Sequence, residues 1–180
     1  MALTPNLRKF VRTAHIIFTV GWLGAVASFF ALSITALKSQ DMEMVRAAYI
    51  AMGLITRFVI LPLSFIPSLI TGPLLSLGTS WGLFRHYWVI VKLVINILST
   101  LILLVHIQPI NHLWRTAAEG ALTGADYQVQ LQMVVASGAA LAALLVATGL
   151  AVYKPRGMTS YGWRKQYEER TVSPNIDVTN

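Results

Sequence analysis

Apolar and polar positions come in long blocks along this chain. Apolar runs at about 14–37, 53–75, 87–107 and 128–152 are separated by short polar stretches. A helix needs about 20 apolar residues to cross the hydrocarbon of a bilayer. The pattern therefore predicts an all-α fold: an integral membrane four-helix bundle with both termini on the same side, over residues 1–153. Residues 154–180 read as a basic and polar tail, with 173–180 expected to be disordered. The first run is long and lacks a small-residue cleavage site before the next polar stretch. It reads as a retained helix rather than a cleaved leader.

Details inside the runs predict how they pack. Gly21/Ala25 and Gly24/Ser28 are small residues four apart, which let a second helix approach closely. The second run carries Arg57, Pro62, Pro67 and Pro73. Its interior prolines remove backbone hydrogen bonds and kink the helix, and a tight turn is expected over 78–82. Pro109 is expected to stop or kink the third helix, because the residue before a proline avoids the helical region. A short surface helix over 111–118 would follow. Thr123 and Asp126 fit a capping box that opens the fourth helix. Ala136, Ala139, Ala140, Ala143, Ala147 and Ala151 recur there at helical spacing, a pattern of close helix packing.

Composition agrees with a membrane protein. Hydrophobic residues make up 56% of the chain and charged residues 12%, against ~25% charged in soluble domains. The net charge of +7 would suggest nucleic acid on a soluble protein, but here the charges flank the apolar runs. The chain has no cysteine, which excludes disulfides, thiolate metal sites and a cysteine nucleophile. No motif supports a serine hydrolase, a phosphate-binding loop or nucleic-acid recognition. No acidic residue lies inside an apolar run, so a carboxylate proton relay is not expected.

The same charges predict orientation. Arg8, Lys9, Arg12, Arg85, Lys154, Arg156, Arg164, Lys165 and Arg170 would lie on the side of the termini; Lys38, Arg46, Arg57 and Arg115 would lie opposite. Basic residues concentrate in cytoplasmic connections. Both termini are thus expected in the cytoplasm, and the protein in the cytoplasmic (inner) membrane. The lipid bilayer is the expected partner, a homo-oligomer is left open, and nucleic acid is not expected.

Candidate chemistry gathers on the third run. Lys92 is an intramembrane lysine, costing roughly 2.5–3.5 kcal/mol on insertion scales. Measured from it on a helix, Arg85 lies at ~20°, Trp88 at ~−40°, Asn96 at ~40°, Ser99 at ~−20° and His106 at ~−40°. His86 lies ~120° away. By depth, His15 and His86 sit near the cytoplasmic face, with Arg12, Lys9 and Arg85 beside them. A b-type haem needs one or two axial histidines at matching depth. His15 would be the ligand and His86 a candidate second, with Lys92 and Arg85 partnering propionates or substrate carboxylates. Copper is the alternative cofactor: His106, His112, Met42 and Met44 lie toward the outer face, and imidazole and thioether suit that metal. The plain alternative is that the histidines anchor helix ends at the interface.

The stretch from His15 to Gly21-Trp22-Leu23-Gly24, and Tyr87-Trp88-Val89-Ile90-Val91-Lys92-Leu93 with His106 after it, resemble a bacterial family of predicted four-helix integral membrane proteins of unknown function. More distantly they are similar to copper-resistance D-type membrane domains and HemJ-type protoporphyrinogen oxidases. The HemJ-type resemblance implies a membrane b-haem, with His15 and Lys92 at the positions of the functional histidine and lysine. The expectation is a haem-binding, redox-linked membrane protein, with a copper-handling or accessory membrane protein as the non-enzymatic alternative.

Overall fold

A computed structural model describes residues 4–65, 70–72, 74, 83–120, 127–155 and 157–172. Helix α1 spans Pro5–Lys38, α2 spans Met42–Ile55, and a π-helical turn at Thr56–Ile60 leads into α3, Leu61–Phe65. Then come α4, Tyr87–Glu119, α5, Tyr127–Tyr153, and α6, Ser160–Val172. The expected turn at 78–82, the capping pair Thr123 and Asp126, Pro67, Pro73 and the expected disorder of 173–180 lie outside the described residues.

Four helical segments are long and apolar enough to cross a membrane: α1, Met42–Ser64, α4 and α5. They pack in a ring that follows chain order, α1 on α2, α2 on α4, α4 on α5 and α5 back on α1. Only 11% of the apolar window of α4 is buried inside the bundle. In water so large an exposed apolar surface would aggregate; in hydrocarbon it is solvated.

Local chemistry explains the helix limits. Pro5 occupies the first turn of α1, where its missing N–H is no loss. Asp41 caps α2 by accepting a hydrogen bond from the Glu43 backbone N–H at 3.0 Å. The polar stretch after α1 is therefore helix from Met42 onward. Val45, Ala48, Tyr49 and Met52 then form a buried stripe at the i, i+3, i+4, i+7 spacing of an amphipathic helix.

The third span differs from its expectation. It runs unbroken through Pro109 to Glu119, with no separate surface helix over 111–118. Pro109 removes one backbone bond, but Ile110, Leu113 and Ala117 beyond it are buried, and α2 packs on this helix. That packing outweighs the local cost. Gly120 then ends the helix at φ 70 with its N–H on the Ala117 carbonyl at 3.2 Å, the left-handed stop that glycine adopts without strain.

The small-residue faces are used unevenly. On α1, Ala25 is buried, whereas Gly24 and Ser28 face outward. On α5, the close approach to α1 is made by Ser137, whose Oγ lies 3.4 Å from Ser33 Oγ, and by Gly138. A Cβ on Gly138 would come within 3.0 Å of the Phe30 ring.

Beyond Lys154, the described residues 157–172 carry helix α6 and a junction with the start of α4. Thr159 caps α6, its Oγ1 accepting from the Gly162 N–H at 3.0 Å. The same hydroxyl donates to the Phe84 carbonyl at 2.6 Å. The Thr159 N–H donates to the Arg85 carbonyl at 3.0 Å, and the Tyr87 N–H to the Gly157 carbonyl at 3.4 Å. His86 and Met158 form an isolated antiparallel bridge. A Cβ on Gly162 would collide with the Arg85 carbonyl, so only glycine fits there.

Candidate functional site: a cleft between α4 and α5

The alanine row of α5 lines open space. Ala136, Ala139, Ala140 and Ala143 fall on one face, opposite Ile95, Leu98, Ser99 and Ile102 of α4. Methyl groups cannot fill the gap between two helices held apart by longer side chains. A cleft of about 750 Å³ results. Its polar end is made by His106, Gln128 and Gln132.

His106 is held in one tautomer. Its Nδ1 lies 2.7 Å from the Ile102 carbonyl. A carbonyl only accepts, so Nδ1 carries the hydrogen. Nε2 then accepts from the Gln132 amide nitrogen at 3.3 Å, a long contact between α4 and α5.

Behind the cleft lies an inner recess of about 70 Å³. Ser99, Ile102, His106, Ala136 and Ala140 line both spaces. The recess adds Trp22 from α1, Thr56 from the start of the π-helical turn and Ser137 from α5. π-turns are rare and recur at functional sites; this one aims Thr56 and Ile60 inward, both buried. Among the described residues, no Asp, Glu, Lys or Arg side chain lines either space.

The other predicted residues sit as follows. His15 Nδ1 lies 2.8 Å from Thr71 Oγ1, tying α1 to the segment after α3. His86 is the residue before α4, and its ring centroid lies 6.4 Å from that of Trp88. Arg85 and His86 both join the junction with α6 through their backbones. Lys92 is half-buried, with Nζ 5.7 Å from the centroid of the Trp88 ring, so the two residues drawn on one stripe meet as a cation–π pair. His112 follows His106 by six residues, a rise of about 9 Å and a turn of about 120° round the helix. Met42 and Met44 are exposed in the first turn of α2. Among the described residues, no three His, Asp or Glu side chains cluster so as to hold a metal ion.

Sequence reasoning passed over Trp22, Thr56 and Gln132. Gln128 and Gln132, four apart and so on one face near the start of α5, were the legible signal, with Gln130 between them on the opposite face. It also left Arg57 without a partner. Its guanidinium donates to Asn111 Oδ1 at 2.8 Å and lies 4.3 Å from the centroid of the Trp114 ring. Trp114 itself fits against Gly53, where a Cβ would overlap it.

No protein-family model, curated protein or solved structure matches this chain.

Proposed function

We propose that this integral membrane protein holds an apolar molecule, drawn from the bilayer, in the cleft between α4 and α5. The observation that carries the reading is the cleft itself: about 750 Å³, mostly apolar, with Ser99 along its length and its other polar groups gathered at the His106–Gln132 end. That volume lies within the ~300–1,000 Å³ of small-molecule sites, which share this apolar lining with a few placed polar groups. The charge asymmetry of the connections supports both termini in the cytoplasm.

The test uses the full-length protein in detergent micelles with an alkyl diazirine, an apolar photoprobe that labels whatever it contacts. Saturable labelling is expected on the Ala139–Ala143 face, above that of other lipid-facing surfaces. Ala139→Phe, at an exposed position, fills the cleft and is expected to abolish the saturable part. Uniform labelling of every apolar face, unchanged in the variant, overturns the proposal.

A second reading, haem bound through His15, is favoured by the Nδ1–Thr71 contact at 2.8 Å. A hydrogen bond at one ring nitrogen is how proteins orient an imidazole that ligates through the other. Protein made with ample haem should then show a Soret band that His15→Ala reduces. A colourless protein would dispose of this reading.

A further inference from the structure

At its polar end the cleft holds an acceptor that the chain serves poorly. The Ile102 carbonyl keeps the hydrogen of the neutral His106 ring on Nδ1, so Nε2 can only accept. Its partner is the Gln132 amide nitrogen at 3.3 Å, beyond the ~2.9–3.0 Å of a well-made N–H bond. Both side chains line the cleft. His106 is half-buried and Gln132 exposed, so the glutamine can swing aside for a molecule that enters there.

The hydroxyls nearby do not supply a better hydrogen. Thr56 Oγ1 donates to the Met52 carbonyl at 2.8 Å, and Ser137 Oγ to the Met133 carbonyl at 2.6 Å. Each has spent its one hydrogen on the backbone and keeps only its capacity to accept. Ser99 lies two turns before His106 on α4, a rise of about 10 Å, too far to donate to it.

The head group that suits this end carries a hydrogen to give and no charge. A ketone can accept from Gln132 but has nothing for Nε2. A carboxylate brings a charge, and among the described residues no Lys or Arg side chain lines the cleft or the recess, so it would be buried without compensation. A hydroxyl donates to Nε2 and accepts from the Gln132 N–H, exchanging one long contact for two ordinary ones. From His106 the lining of the cleft runs back along α4 to Ile95. That is a rise of about 16 Å, the length of an extended dodecyl chain.

Resting on the cleft reading above, we infer that the cleft binds a long-chain alcohol, its hydroxyl donating to His106 Nε2 and accepting from Gln132, and its chain lying along the alanine face of α5.

Four probes of similar chain length separate the possibilities: dodecane, decyl methyl ketone, dodecanol and dodecanoate. Each competes with the alkyl diazirine on the full-length protein in micelles. Dodecanol is expected to halve labelling at a concentration about tenfold lower than dodecane, as one well-made hydrogen bond in apolar surroundings allows. His106→Leu should bring dodecanol to the level of dodecane and leave dodecane unchanged. A readout on the unaltered protein guards against misfolding of the variant: one imidazole acceptor nitrogen should shift in the NMR spectrum when dodecanol is added, and stay in place with dodecane. Equal competition by dodecanol and dodecane, with the cleft still saturably labelled, means that water alone serves Nε2 and overturns the inference while the cleft stands. Stronger competition by the ketone or by dodecanoate overturns the head-group assignment. An advantage of dodecanol that survives in His106→Leu, or imidazole signals that do not move, overturns the role of His106. No saturable labelling under any condition overturns the cleft reading itself.

Discussion

The two parts of α4 on either side of Pro109 solve different problems. From Tyr87 to Gln108 the helix is predominantly apolar, yet only Val89 and Thr100 are buried. Leu98, Leu101 and Val105 face outward. From Pro109 to Glu119 the sequence is far more polar, yet Ile110, Leu113 and Ala117 are buried and Leu113 is 1% exposed. Around them Arg57 reaches Asn111 and Trp114, and Arg46 donates to the Ala118 carbonyl at 2.8 Å. Hydrophobicity and burial are thus uncoupled along one helix. Where lipid is the solvent, apolar side chains have no reason to turn inward, and association rests on packing and polar contacts instead.

Mutations on the two sides of Pro109 should therefore have opposite weight from what hydropathy suggests. The largest effect is expected for Leu113→Ala, which opens a cavity in the α2–α4 contact. It should cost about 2–5 kcal/mol, read by reversible unfolding in mixed micelles. A loss below that of a lipid-facing substitution would erase the distinction. Arg57→Ala comes next, removing one hydrogen bond and a cation–π contact at an exposed position. About 1 kcal/mol is expected, and Asn111→Ala in the same background should add little if the two act as a pair. The smallest effect is expected for Val105→Ala. Despite its high hydropathy this residue is 70% exposed to the surroundings of the bundle, so the change should stay within about 0.5 kcal/mol. A larger loss would mean that Val105 is covered by another chain.

The same contrast explains what could be read from the sequence. The spans were legible because lipid demands long apolar runs whatever they pack against. The stripe from Arg85 to His106 was legible because helical geometry fixes which residues share a face. Geometry does not say what lies opposite. The alanine row on α5 has the spacing of a packing face, and close approach does occur, but one face over, at Ser137 and Gly138. The alanines themselves border the cleft. Trp22 looked like one more residue among the small ones on α1, and only the folded ring brings Thr56 and Ser137 beside it. The stop expected at Pro109 does not occur: its local penalty is real, but Leu113 and Ala117 beyond it are buried and the helix continues to Glu119. The junction at Thr159 was missed because a polar stretch of about 20 residues has no apolar pattern to reveal it. Its backbone partners lie about 75 residues earlier.

That separation has a consequence for how the molecule is made. Phe84 and Thr159 are 75 residues apart. At ~5–20 residues per second, the ribosome needs roughly 4–15 s to travel between them. Throughout that interval the carbonyls of Phe84 and Arg85, just ahead of α4, exist without the chain segment that later receives them. The third and fourth spans can enter the lipid before this end of the bundle is closed. The strap formed by Gly157, Thr159 and Gly162 is then a latch fastened only after both α4 and α5 have been made.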